Sequence, residues 1–260
     1  TRTRNFNLFT KYSISILFHR ALYSFNLMSS NHSQRAYQHI RRELLNGSVA
    51  PGSRLSYGSI RKEIGVSATP VREAVGQLAS EGFVELVPQL GAVVRELNRE
   101  EATELYELRE ALEACAAGQA AERISTRQKA EIRDNLSECL ALIKEVRNSG
   151  REQANCRIAQ NFRNLDLAFH MILIEATRNR RMLKVVGDSH ILTRIFQADR
   201  HEFSLTILEA TVAEHEAIAK AIEAGDREGT HDAMRSHIRN SLNLTLNESD
   251  VDIDDRWWTE

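Results

Sequence analysis

Apolar residues recur at helical spacing from Ala36 to Leu78, and between Phe83 and Arg95 that period gives way to two short β-prone runs around a turn. Few folds accommodate such a switch within so short a stretch. Ala36, Ile40, Leu44 and Leu45 form a first stripe that stops at Gly47. A turn at Val49-Ala50-Pro51-Gly52 follows, with Leu55 as an anchor, and Ile60 and Ile64 mark a second short helix ending at Gly65. Val71, Ala74, Val75 and Leu78 stand at i, i+3, i+4 and i+7 of a third. Ser67 or Thr69 can cap that helix, Pro70 is tolerated in its first turn, and Gly82 stops it. Thr69, Arg72 and Gly76 then face away from its buried stripe. Phe83 to Val87 and Ala92 to Arg95 flank Pro88-Gln89-Leu90-Gly91 as a hairpin.

Three helices and a hairpin predict a winged helix-turn-helix over 31–96, its tight Gly65-Val66-Ser67 link crossing the second and third helices steeply. Charge points the same way. Residues 1–96 carry 12 Lys/Arg against 6 Asp/Glu, whereas the remainder carries 22 against 30. A basic segment followed by an acidic one suggests that the first meets a polyanion. No stretch approaches the roughly 18–20 apolar residues of a membrane-spanning helix, so no membrane association is expected. Cys115, Cys139 and Cys156 show neither metal-ligand nor redox spacing, which fits a reducing bacterial cytoplasm. Residues 1–30 are expected to lie outside the folded regions, with Met28 as the natural start and 1–27 as upstream sequence. The last segment, 247–260, reads as an acidic tail carrying Trp257 and Trp258.

Leu55, Ile60 to Gly65, Val66-Ser67-Ala68-Thr69-Pro70-Val71-Arg72-Glu73-Ala74, Leu78, Glu81-Gly82 and Gly91-Ala92 together resemble the GntR family of transcription regulators. The resemblance implies that the third helix enters the major groove of a double-stranded DNA operator and that the wing tip reaches toward the minor groove. It assigns DNA contact to the positions of Ser67, Ala68, Thr69, Arg72 and Gly91. Hydroxyls and amides at a helix N-terminus suit phosphates, and an arginine one turn in can reach a guanine edge or a phosphate. Two departures bear on operator sequence and affinity: Ala68 replaces an arginine usual in the family, and Leu90 stands in the wing where a basic or polar residue is common. Tyr57-Gly58 also replaces a commoner charged pair at the start of the second helix.

From Asn98 onward the pattern is helical throughout. Asn98 and Glu101 form a capping box, and helical stripes follow over about 126–147, 153–177, 180–199, 205–224 and 227–246. The fold class is therefore mostly α: an N-terminal winged helix-turn-helix and, over 98–246, an antiparallel bundle of six to seven helices. Asp166 and His170 stand four apart and share a helix face. His215 lies ten residues before Gly225 and His237 twelve after it, so in a helical hairpin the two imidazoles reach nearly the same height. Ile218 and Ile222, then Met234 and Ile238, orient both inward. Three imidazoles and a carboxylate suit a divalent metal ion, zinc first and also Ni, Mn or Fe. On spacing alone, hydrogen-bonded core histidines stand as an equal alternative. His190, His201 and His231 lack a partner at helical spacing and read as surface residues.

Leu165-Asp166-Leu167-Ala168-Phe169-His170, Asn179, and His215 to Gly225-Asp226 to His237 resemble the ligand-binding, FCD-type domain of the FadR-like branch of GntR regulators. The resemblance implies metal coordination by Asp166, His170, His215 and His237, with a small organic acid as effector beside the metal. It places Arg109 and Asn179 in effector binding, Arg109 pairing with a carboxylate. The alternative for Arg109 is a salt bridge to Glu113. The implied protein is a homodimeric, ligand-responsive repressor on a pseudo-palindromic operator. Two other readings remain: a metal-dependent hydrolase using the Asp/His cluster, and a regulator whose metal is purely structural.

Overall fold

The computed structural model describes residues 32–197 and 203–247. The leader, the tail with its tryptophan pair, and His201 fall outside the described residues. The fold comprises α1 (His32–Asn46), α2 (Tyr57–Ile64), α3 (Ala68–Ser80), β1 (Val84–Val87), β2 (Gly91–Val94), α4 (Arg99–Arg123), α5 (Thr126–Asn148), α6 (Cys156–Ala176), α7 (Arg180–Gln197), α8 (Leu205–Ala224) and α9 (Arg227–Asn247). The described residues divide into two compact units, one of 32–106, 188–197 and 242–247, the other of 107–187 and 203–241.

In the first unit α1 to α3 and the hairpin make the winged helix-turn-helix. The α3 stripe of Val71, Ala74, Val75 and Leu78 is buried, together with Ile40 and Leu44 of α1 and Phe83. Gly65 closes α2 in the left-handed region at φ 67°, which only glycine adopts without strain, and its amide donates to the Arg61 carbonyl. β1 and β2 pair antiparallel from Val84↔Val94 to Val87↔Gly91. The segment before α2 adds a third edge, with Arg54 bridged to Val93 and the Leu55 amide donating to Ala92 at 2.8 Å. The unit is braced further by Arg41, which pairs with Asp188 at 2.6 Å, lies over the Tyr37 and Phe83 rings and donates to the Tyr37 hydroxyl. Burial keeps that phenol protonated well beyond the usual range. Leu78→Ala is expected to cost about 2–5 kcal/mol, as for a fully buried leucine. A lowered urea midpoint by circular dichroism checks this, and an unchanged midpoint would contradict the core assignment.

The second unit is helical. Its first helix, α4, starts within the first unit, where the Asn98–Glu101 capping box forms in both directions, at 2.9 and 3.0 Å. A capping box of Ser125 and Gln128 starts α5. α6 is the central helix, buried around nearly its whole circumference from Leu165 to Ala176, which is why this stretch is almost continuously apolar. Asp166 and His170 interrupt that run. A helix buried on all sides tolerates such residues only when each finds a partner. α8 and α9 form the hairpin around Gly225, in the left-handed region at φ 68°. α4 approaches α9 closely at Gly118, where a Cβ would stand 3.1 Å from the Arg227 carbonyl. Glu110 of α4 then accepts from Arg235 at 2.9 Å and Arg239 at 2.8 Å, tying the helix of His237 to that of Glu113.

Candidate DNA-contacting face and candidate metal centre

On the winged unit, α3 begins at Ala68 with Ser67 in the N-cap position, yet the Ser67 side chain makes no capping hydrogen bond. An N-cap hydroxyl accepts from the second or third helical amide, and Pro70 at the third position removes one of these two partners. Ser67 and Thr69 are exposed, and so are Arg72 and Gly76 one and two turns on; Ala68 is half-buried. Among the described residues Arg72 has no ion-pair partner, on its own helix or elsewhere. Gly91 takes φ +97°, conformational space that favours glycine, at the start of β2. The five expected contact positions thus lie on α3's first two turns and on the wing.

The second unit brings Asp166, His170, His215 and His237 together, with one donor atom of each within 4.8 Å of the others. His237 Nε2 stands 3.2 Å from His170 Nε2 and 3.3 Å from His215 Nε2. Asp166 Oδ1 lies 3.8 Å from His170 Nε2 and 3.6 Å from His215 Nε2. A tetrahedral site with metal–ligand distances of about 2.0–2.1 Å has edges of about 3.3–3.4 Å. The measured separations bracket that value.

Protonation strengthens the fit. His170 Nδ1 faces Glu113 Oε2 at 2.5 Å, and His237 Nδ1 faces Glu214 Oε2 at 2.7 Å. An ionised carboxylate only accepts, so these contacts favour the tautomer with the proton on Nδ1, which leaves Nε2 as the donor atom that faces the cluster. The two Nε2 atoms stand 3.2 Å apart. A single proton can bridge one such pair, whereas a divalent cation would engage all four donors at once. Carboxylate partners behind ligating histidines are the usual support of metal sites. His215 stacks on Phe169 with centroids 4.0 Å apart, and burial, then His237, holds its conjugate acid well below the usual range. It is a neutral donor at pH 7. Charge agrees as well: Arg109 offsets Glu113, and a divalent cation offsets Asp166 and Glu214.

Residues 32–94 match the model for bacterial regulatory proteins of the gntR family, and 104–240 match the FCD domain. The chain is a GntR-family transcription regulator. Its relatives include an uncharacterised HTH-type transcriptional regulator in an unstable DNA locus of Streptomyces ambofaciens, 31% identical over 78% of this chain and 80% of that protein. The Escherichia coli HTH-type transcriptional repressor RspR is 26% identical over 80% and 86%. The solved structure of E. coli McbR/YncC has the same fold, with a TM-score of 0.72 at 17% identity over 85% of this regulator and 100% of that chain. The Streptomyces and RspR relatives are named as transcription regulators, which leaves the hydrolase reading without a counterpart among them. Among the described residues of the regulator, no helix is long and apolar enough to cross a membrane.

Two expected effector residues sit differently. Arg109 is buried, and its Nε donates to Glu113 Oε1 at 2.7 Å, which places it behind His170 through that carboxylate. Asn179 is exposed and caps α7, its Oδ1 accepting from the amides of Arg181 and Met182. That capping role accounts for its hydrogen bonds without a ligand. His190, expected on the surface, is 3% exposed. It follows Ser189 and precedes Ile191 on the inward side of α7, a face whose polar residues conceal its burial from pattern reading. His231 is 43% exposed and pairs with Asp232. Sequence reasoning missed the role of Glu113 toward His170 and missed Glu214 altogether.

Proposed function

We propose that this regulator is an operator-binding repressor whose DNA affinity is set by a small organic acid bound in the C-terminal unit beside a divalent cation. Asp166, His170, His215 and His237 would hold the cation, with zinc the first expectation from the three imidazoles. The observation that carries this reading is the inward convergence of imidazole Nε2 atoms whose Nδ1 atoms face the carboxylates of Glu113 and Glu214. A bound divalent cation would supply a Lewis-acidic anchor for a carboxylate. The residues around it do the rest. Asp166 is 31% exposed while the histidines are 0–2% exposed, so the approach for an effector is from the carboxylate side. Arg109 is the cation an effector carboxylate would share with Glu113, so ligand binding and the support of His170 would be coupled.

A homodimer reading a pseudo-palindrome follows from the two-fold logic of such operators. The effector controls binding only to the extent that it favours one arrangement of the protein over another. The relative named as a repressor supports that sign.

Glu113→Gln is expected to weaken cation affinity about 10- to 100-fold, as loss of a carboxylate behind a ligating histidine does. Competition against a chromophoric chelator measures this. Equal affinity in the variant and the wild type would remove Glu113 from the account.

A further inference from the structure

The wing carries no cation of its own. From Val84 to Val94 the chain contains Glu85 but neither lysine nor arginine, and α3 contains Arg72 alone. Affinity for DNA rests largely on cations that neutralise phosphates. Arg95, next after the hairpin, is paired with Glu101. Arg54 differs from it. It is exposed, and among the described residues it has no ion-pair partner. Its backbone is held in the third edge of the wing sheet by the bridge to Val93 and by flanking hydrogen bonds of 2.8 and 2.9 Å. The guanidinium lies over Gly91, within 3.7–3.9 Å of where a Cβ on that glycine would stand. Arg54, Ser56, Tyr57, Gly58 and Gly91 line one groove between the wing and the start of α2.

We propose that Arg54 is a phosphate-contacting residue of the wing, supplying from the strand before α2 the positive charge that the hairpin lacks. The inference rests on the regulator binding DNA through its winged unit. Fixing the backbone of Arg54 in a sheet makes the contact a positioned one, since only the side chain must be ordered on binding. A phosphate contact also predicts indifference to base sequence.

The test is fluorescence anisotropy of labelled DNA from upstream of the regulator's own gene, for full-length wild type, Arg54→Ala, Arg54→Lys and the control Arg127→Ala over a salt series. The expected result is a loss of about 10-fold in Arg54→Ala, with the slope of log affinity against log salt reduced by about 1. Arg54→Lys should keep the slope, Arg127→Ala should match wild type, and thermal midpoints should agree because the side chain is exposed. Wild-type affinity and slope in Arg54→Ala would overturn the proposal while leaving DNA binding intact. A loss that varies with base substitutions in the site would overturn it in favour of base reading. Failure of the wild type to bind any fragment would overturn both.

Discussion

Chelator treatment is expected to lower the thermal midpoint of the purified regulator by about 8–16 °C, and added zinc to restore it. The magnitude follows from linkage: a ligand present at about 1,000 times its dissociation constant stabilises by about 4 kcal/mol. At about 2–4 °C per kcal/mol for a unit of this size, that gives the stated range. The physical cause is the crowding of donor atoms: His170 and His237 hold Nε2 atoms at 3.2 Å while their Nδ1 atoms face Glu113 and Glu214. Both imidazoles are at most 2% exposed, so water offers little relief. Differential scanning fluorimetry of treated and reloaded protein measures the shift. Asp166→Ala/His215→Ala should show none; an equal shift in that variant would place the stabilising ion elsewhere.

Arg72→Ala is expected to weaken operator binding by about 10- to 100-fold, within the 1–3 kcal/mol of a well-placed arginine contact. Arg72 stands one turn into α3, exposed and without an ion-pair partner among the described residues. Ala68, on the preceding turn, offers only a methyl group, so little nearby can compensate. The salt series separates the possible contacts. If Arg72 reads a base edge, the salt slope stays and discrimination at one base pair relaxes; if it meets a phosphate, the slope falls by about 1. Binding indistinguishable from wild type would remove α3 from the interface.

The winged unit was legible because its signals are local. The switch of period at Gly82, the link at Gly65 and the hairpin glycine all lie within about one structural element of what they control. The four convergent residues were legible for a related reason: Asp166 and His170 share a helix face, and Gly225 fixes the heights of His215 and His237. Their supports were not. Glu113 reaches His170 across 57 residues and Glu214 reaches His237 across 23, and no helical spacing encodes such pairs. Asn179 shows the converse. Its position in a family pattern suggested a ligand, while its position before α7 made it a cap. His190 was hidden because polar neighbours such as Ser189 and Thr193 mask a buried face. Arg54 escaped because its place beside Gly91 depends on the sheet, not on the sequence around it.

The central claim is that Asp166, His170, His215 and His237 hold one divalent cation. Elemental analysis of the purified full-length chain beside Asp166→Ala/His215→Ala, each dialysed against zinc and then against buffer, tests it most directly. The account predicts about one metal ion per chain in the wild type and near none in the variant. A wild type without metal, or a variant that retains as much, would contradict it.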